Sequence, residues 1–175
     1  MAIKNKKRAY MLKYTTLVAV LLLLYVMQTT PRLFVIMGAK PILVVPFAIA
    51  LAMYEGEFVG GIFGIAAGIL CDMGSHGLFG YSGIICGLAC ISIGLLIIYL
   101  MRCNVGGCIL FVLLTMLLRG SVGYFFAYGI WNYEGAWRIF TGQTLPTILY
   151  TTAVTPLLYY FVRALHRYFQ NRIIL

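Results

Sequence analysis

The sequence predicts an all-α polytopic membrane bundle of about six transmembrane helices, and three observations predict it. Hydrophobic residues make up 63% of the 175 positions and charged residues 10%, against about 45–50% and about 25% in soluble domains. Mean hydropathy is +0.99. Apolar runs of span length recur along the whole chain, separated by short polar or glycine-rich corners. A soluble globule has nowhere to put so much apolar surface. In hydrocarbon every backbone amide needs an internal partner, which a helix supplies. At about 20 residues per span, residues 1–175 read as one transmembrane domain with no room for a soluble catalytic unit.

The first apolar run, Tyr14–Met27, follows a basic N-terminus. No small-x-small cleavage site comes after it, so it is expected to be a retained helix rather than a signal peptide. The second run, Leu33–Tyr54, is interrupted by Gly38, Lys40, Pro41 and Pro46. Its membrane part is expected to start at Pro41, a favourable first-turn residue, with Pro46 a turn inside as a kink. Glu55-Gly56-Glu57 makes a polar corner whose carboxylates are expected to solvate the turn. Phe58–Cys71 is the third span, and Asp72–Gly80 a glycine-rich turn. Tyr81–Met101 is the fourth span, Arg102-Cys103-Asn104 a turn, and Val105–Ile130 the fifth span. Trp131–Gln143 carries two tryptophans and reads as an interfacial loop. Leu145–Val162 closes the set, with Pro146 at its start and Pro156 inside. The second and third spans are short, which leaves a re-entrant hairpin as the alternative to two full crossings.

The net charge of +9 is not a nucleic-acid signal, because the cations flank apolar spans. With six spans both termini share one side, which carries Lys4, Lys6, Lys7, Arg8, Lys13, Arg102, Arg163, Arg167 and Arg172. The other side carries Arg32, Lys40 and Arg138. This asymmetry predicts cytoplasmic termini, with the basic rim against anionic headgroups. His166, between Arg163 and Arg167, reads as headgroup-facing. The five cysteines lack CxxC spacing and a histidine cluster, so they read as small packing residues. No cofactor or metal site is expected. No nucleophile stands beside a base at motif spacing, so no enzymatic activity is expected either.

Two features inside the membrane stand out. Gly60, Gly64 and Gly68 recur every four residues and stack on one helix face, a pattern that admits another backbone at close range. That face either packs within the chain or docks a partner's helix. Asp72 ends the third span and Arg119 interrupts the fifth. A charge at depth costs about 2.5–3.5 kcal/mol on insertion scales and normally has a partner. Each lies 14 residues from the start of its span, about 21 Å along the helix, so the two are level. They are expected either to form an intramembrane ion pair or, separately, to cap the outer turn (Asp72) and snorkel (Arg119).

The stretch from Lys40 to Met101 resembles MreD, the bacterial rod-shape-determining membrane protein family. The resemblance rests on Lys40-Pro41-Ile42-Leu43, the apolar run to Tyr54 and Glu55-Gly56-Glu57-Phe58-Val59-Gly60. It continues in Gly64, Gly68-Ile69-Leu70-Cys71-Asp72, Ser75 and Leu78-Phe79-Gly80, and the closing Thr155-Pro156-Leu157-Leu158 before a basic tail is also similar to the family's end. His76 stands where the family pattern has a small residue. The resemblance implies a non-enzymatic scaffold subunit of the lateral cell-wall synthesis complex that determines cell shape. Its implied partners are an MreC-like single-span protein, RodA with its transpeptidase and, indirectly, the MreB filament system. The alternative of similar size and helix number is the substrate-binding S component of an energy-coupling-factor vitamin transporter. Such S components share the expected fold and would place Asp72, Arg119, Tyr124 and Trp131 around a small molecule. Against that alternative, Ala19, Leu23 and Met27 make a poor close-approach line on the first helix.

Overall fold

A computed structural model describes residues 2–30, 40–74, 79–126, 142 and 144–174, with backbone only for 2–9 and 171–174. The expected turn residues Ser75 and His76, and the loop carrying Trp131, Tyr133, Glu134 and Arg138, lie outside the described residues. Among the described residues six helices follow in order: α1 (Ala2–Thr29), α2 (Val44–Glu55), α3 (Glu57–Met73), α4 (Tyr81–Tyr99), α5 (Val105–Tyr124) and α6 (Leu145–Ile174). Four stretches, Tyr10–Thr29, Tyr81–Tyr99, Val105–Tyr124 and Leu145–Gln170, are long and apolar enough to cross a bilayer. The chain is a multi-pass helical membrane protein.

The centre of the bundle is α2. Every residue from Val44 to Met53 is buried, and α2 touches each of the other five helices. A helix that is apolar all round belongs inside a bundle. Twelve residues give it only about 18 Å, short of the roughly 30 Å hydrocarbon thickness. The remainder is irregular backbone at Lys40–Leu43, and irregular backbone at depth must find partners. The Ile42 amide donates to Thr151 Oγ1 at 3.0 Å. The Leu43 and Val44 amides donate to Gln28 Oε1 at 3.0 and 3.4 Å. Thr151 has its own proton on the Thr147 carbonyl at 2.7 Å, which leaves its lone pairs free to accept. Side chains of α1 and α6 thus take up amides that the start of α2 cannot satisfy itself.

Pro41 and Pro46 fall differently from expectation. The helix begins at Val44, so Pro41 precedes it and Pro46 is its third residue. A first-turn proline loses no helical hydrogen bond, and no kink is required there. Pro156 lies within α6, which runs on past Val162 through the basic tail to Ile174.

The α2–α3 corner turns on Gly56 at φ +88°, a conformation that glycine adopts without a Cβ penalty. This corner sits at the end of the bundle that carries both ends of the chain. Glu55 there meets Lys13 of α1 and His166 of α6. Cys103, in the α4–α5 turn, donates its thiol to the Met53 carbonyl at 3.1 Å. Burial pushes that thiol up from its ordinary value, which keeps the proton on sulfur for this contact. Tyr159 closes the same region, its hydroxyl donating to the Cys103 carbonyl at 3.3 Å.

Candidate functional site

The glycine face is consumed inside the chain. Gly60, Gly64 and Gly68 are all buried. A Cβ on Gly60 would collide with Ala52 of α2. On Gly64 it would lie 2.8 Å from both the Cys86 carbonyl and the Cys90 sulfur, and on Gly68 it would enter the Ser82–Gly83 backbone. Antiparallel α4 answers with its own small residues: Gly94 lies against Glu57, Gly87 against Ile65 and Gly83 against Ile69. Cys86 and Cys90 share one helix face, as their spacing of four requires, and pack there as free thiols. Of the two readings open for the Gly60–Gly64–Gly68 face, the structure takes intramolecular packing, and docking of a foreign helix on that face is excluded. The opposite face of α3 (Phe58, Ile62, Ile65, Ile69 and Met73) is the exposed one.

At the end opposite the termini, Asp72 and Arg119 come to the same place without pairing directly. Asp72 is 3% exposed. Its Oδ2 accepts from the amides of Gly80 at 2.8 Å and Ser82 at 3.1 Å. Those amides belong to the first turn of α4, so the carboxylate that ends α3 caps the next helix. An anion at a helix N-terminus also gains from the helix dipole. Arg119 Nε donates to Ser82 Oγ at 2.8 Å. The two charges are linked through Ser82, and the expected direct Asp72–Arg119 ion pair is corrected to this bridged arrangement. Asp72 Oδ2 serves the amides at the start of α4, while Arg119 Nε is turned to Ser82 Oγ. Replacing Asp72 by alanine is expected to cost about 1–2 kcal/mol of stability, the scale of a lost helix cap. Amide exchange at Gly80 and Ser82 should accelerate, while the amides of α2 keep their protection.

Among the described residues, an ion pair from Lys13 and a hydrogen bond from His166 converge on Glu55. Lys13 Nζ lies 2.6 Å from its Oε1 and 2.7 Å from Oε2, and His166 Nδ1 lies 2.7 Å from Oε1. Side-chain exposure is 8% for Lys13, 8% for Glu55 and 17% for His166. A carboxylate accepts only, so Nδ1 carries the proton towards Glu55. The His166 ring is further held against Tyr54, centroids 5.3 Å apart, and Tyr54 against Tyr159 at 5.6 Å. Sequence reasoning missed this cluster. Glu55 is expected from sequence to be solvated and His166 to face headgroups, and both expectations are overturned; Lys13, expected as one cation of the basic rim, also pairs with Glu55. The partners lie 42 and 111 residues away from Glu55, beyond any motif spacing. The available signal was the cost of Glu55 next to a short apolar helix, which demands a partner.

A groove of about 400 Å³ runs between α1 and α3, lined by Val18, Leu21, Leu22, Ile62, Phe63, Ala66, Ile69 and Leu70. Its lining is entirely apolar. Among the described residues no group of three or more His, Cys, Asp or Glu has metal-binding geometry.

Comparison with protein-family models, curated proteins and solved structures finds no match. The reading of the chain therefore rests on its own geometry. That geometry assigns a tying role to every intramembrane charge described: Glu55 joins α1, α2 and α6, Asp72 joins α3 to α4, and Arg119 joins α5 to α4.

Proposed function

We propose that the chain is a non-enzymatic membrane scaffold subunit of a bacterial lateral cell-wall synthesis complex, as the MreD resemblance implies. The observation that carries this reading is the use of Glu55, Asp72 and Arg119, each engaged in joining helices of this chain. Groups held in that way serve rigidity rather than turnover. What the fold offers outwards is apolar relief at helical spacing. On α4 it is Ile84, Leu88, Ile91 and Leu95, and on α5 Leu110, Leu114, Leu117 and Leu118. Ridges of this kind suit packing against other spans in lipid, where close van der Waals fit drives association. In this reading the partners are an MreC-like single-span protein and RodA with its transpeptidase, with the MreB filament system acting at one remove.

The chain sits in the bacterial inner membrane with both termini cytoplasmic, supported by the excess of Lys and Arg at the end that carries the termini. Asn104 and Lys40 are both exposed and lie at opposite ends of the bundle. In a background lacking Cys103, a cysteine at position 104 should react with an impermeant thiol reagent only from the cytoplasm. A cysteine at position 40 should react only from outside. The reverse pattern overturns the orientation.

Depletion and co-purification test the function. Cells lacking the protein should lose rod shape, and the detergent-extracted chain should bring down a single-span protein and a polytopic polymerase. Normal shape with tight retention of a small vitamin-like molecule would replace the scaffold with the transporter reading.

A further inference from the structure

We propose that Arg119 and Tyr81 form a seat for the phosphodiester headgroup of a membrane lipid, in the leaflet at the end opposite the termini.

Arg119 lies five residues before the end of α5 at Tyr124, so its Cα is about 7.5 Å below that end. Its side chain reaches towards the end, because Nε meets the hydroxyl of Ser82, the second residue of α4. The guanidinium therefore lies at the level of a helix terminus, where the headgroups begin. Ser82 is fully buried, and its amide is held by Asp72 at 3.1 Å. The anchor that orients Nε is thus fixed in turn by a second hydrogen bond. A guanidinium has five N–H donors in a planar fork. Nε accounts for one, and among the described residues none accepts from the two terminal nitrogens. Arg119 is only half-buried, so the side chain is not sealed inside the bundle.

The second donor stands one turn further along α5. The Tyr81 hydroxyl lies 2.8 Å from where a Cβ on Gly123 would be. Positions 119 and 123 are four apart and share a helix face. Glycine at 123 is what allows the hydroxyl to lie there. A guanidinium fork and a phenolic hydroxyl, one helical turn apart at interface depth, match a phosphodiester, which takes bidentate bonds from arginine and one from a neutral donor. Asp72 does not cancel the site: its Oδ2 is directed to the α4 amides, and the α4 dipole offsets its charge. A carboxylate on a partner's helix shares part of this chemistry. The lipid is favoured because the guanidinium is drawn up to the helix end instead of held at mid-membrane depth.

The test uses the full chain, purified in mild detergent and titrated with phosphatidylglycerol or with diacylglycerol of the same acyl chains, with retention read by native mass spectrometry. The wild-type chain should retain phosphatidylglycerol in clear preference to diacylglycerol. Arg119→Gln should lower that retention about tenfold, the loss of a charge-assisted bond. Ser82→Ala, which frees Nε but keeps the charge, should lower it less, and thermal midpoints in lipid-free detergent report whether each variant is folded. Equal retention of the two lipids by the wild type would overturn the proposal. So would wild-type retention in folded Arg119→Gln and Ser82→Ala. Displacement of the lipid by millimolar inorganic phosphate would make this a free-phosphate site and overturn the lipid assignment. Loss of a co-purifying membrane protein from Arg119→Gln, with lipid retention unchanged, would assign the guanidinium to a partner's carboxylate and equally overturn it.

Discussion

Replacing Glu55 by alanine is expected to destabilise the bundle by about 3–5 kcal/mol, the largest effect of any single polar substitution here. The cost arises less from the lost attraction than from what remains. Lys13, at 8% side-chain exposure, would be left in a buried site with no anion. The His166 Nδ1 donor would lose its acceptor at the same moment. Denaturant titration in mixed micelles, followed by tryptophan-free helical signal, measures the loss. A triple variant sharpens the argument. Lys13→Met, Glu55→Leu and His166→Phe together should recover most of the stability, because a well-packed apolar replacement of a buried ionic cluster is often neutral. If the single change and the triple change were equally damaging, packing rather than charge would be holding that end of the bundle.

Gly68→Val is expected to be comparably severe for a different reason. The added Cβ would enter the backbone of Ser82 and Gly83, and backbone cannot rotate aside as a side chain can. The α3–α4 contact would have to open along its length, and loss of close approach removes the packing that holds membrane helices together. Overpacking of this kind costs about 1–3 kcal/mol, and more when backbone must move. The matched control is Gly106, where a Cβ meets nothing within 4 Å. Gly106→Ala should leave stability unchanged or raise it by up to about 1 kcal/mol, because alanine favours a helix over glycine. Thermal unfolding of the two variants in one detergent separates the predictions. Equal midpoints would mean that the tight α3–α4 approach carries no stability.

The spans were largely legible because hydropathy reports them residue by residue. Tyr81 and Val105 begin α4 and α5 as read, and the four-residue glycine spacing in α3 does mark a close approach. What the spacing could not say was which helix approaches, since Cys86, Cys90 and Gly83 on α4 became partners only through the chain's return. The same limit applies to the charges. Counting residues from the start of each span placed Asp72 and Arg119 level, yet Ser82 between them was invisible, because a serine in an apolar run gives no periodic signal. Glu55 was misread for the opposite reason: a carboxylate at a corner looks solvated until distant Lys13 and His166 are brought to it. Pro41 and Pro46 differ from expectation because the start of α2 is set by side chains of α1 and α6 rather than by local propensity, whereas Pro146 and Pro156 fall as read.

The dependence of α2 on α6 has a consequence for biogenesis. The Ile42 amide waits for a threonine 109 residues downstream, and Glu55 for a histidine 111 residues downstream. A ribosome adding about 5–20 residues per second leaves both unmet for several seconds or longer. During that interval Glu55 has Lys13 but not His166, and the Ile42 amide has no acceptor, in or beside the translocon. Chains truncated before α6 should therefore be cleared by quality-control proteases, and the last segment to be made is the one that completes the middle of the protein.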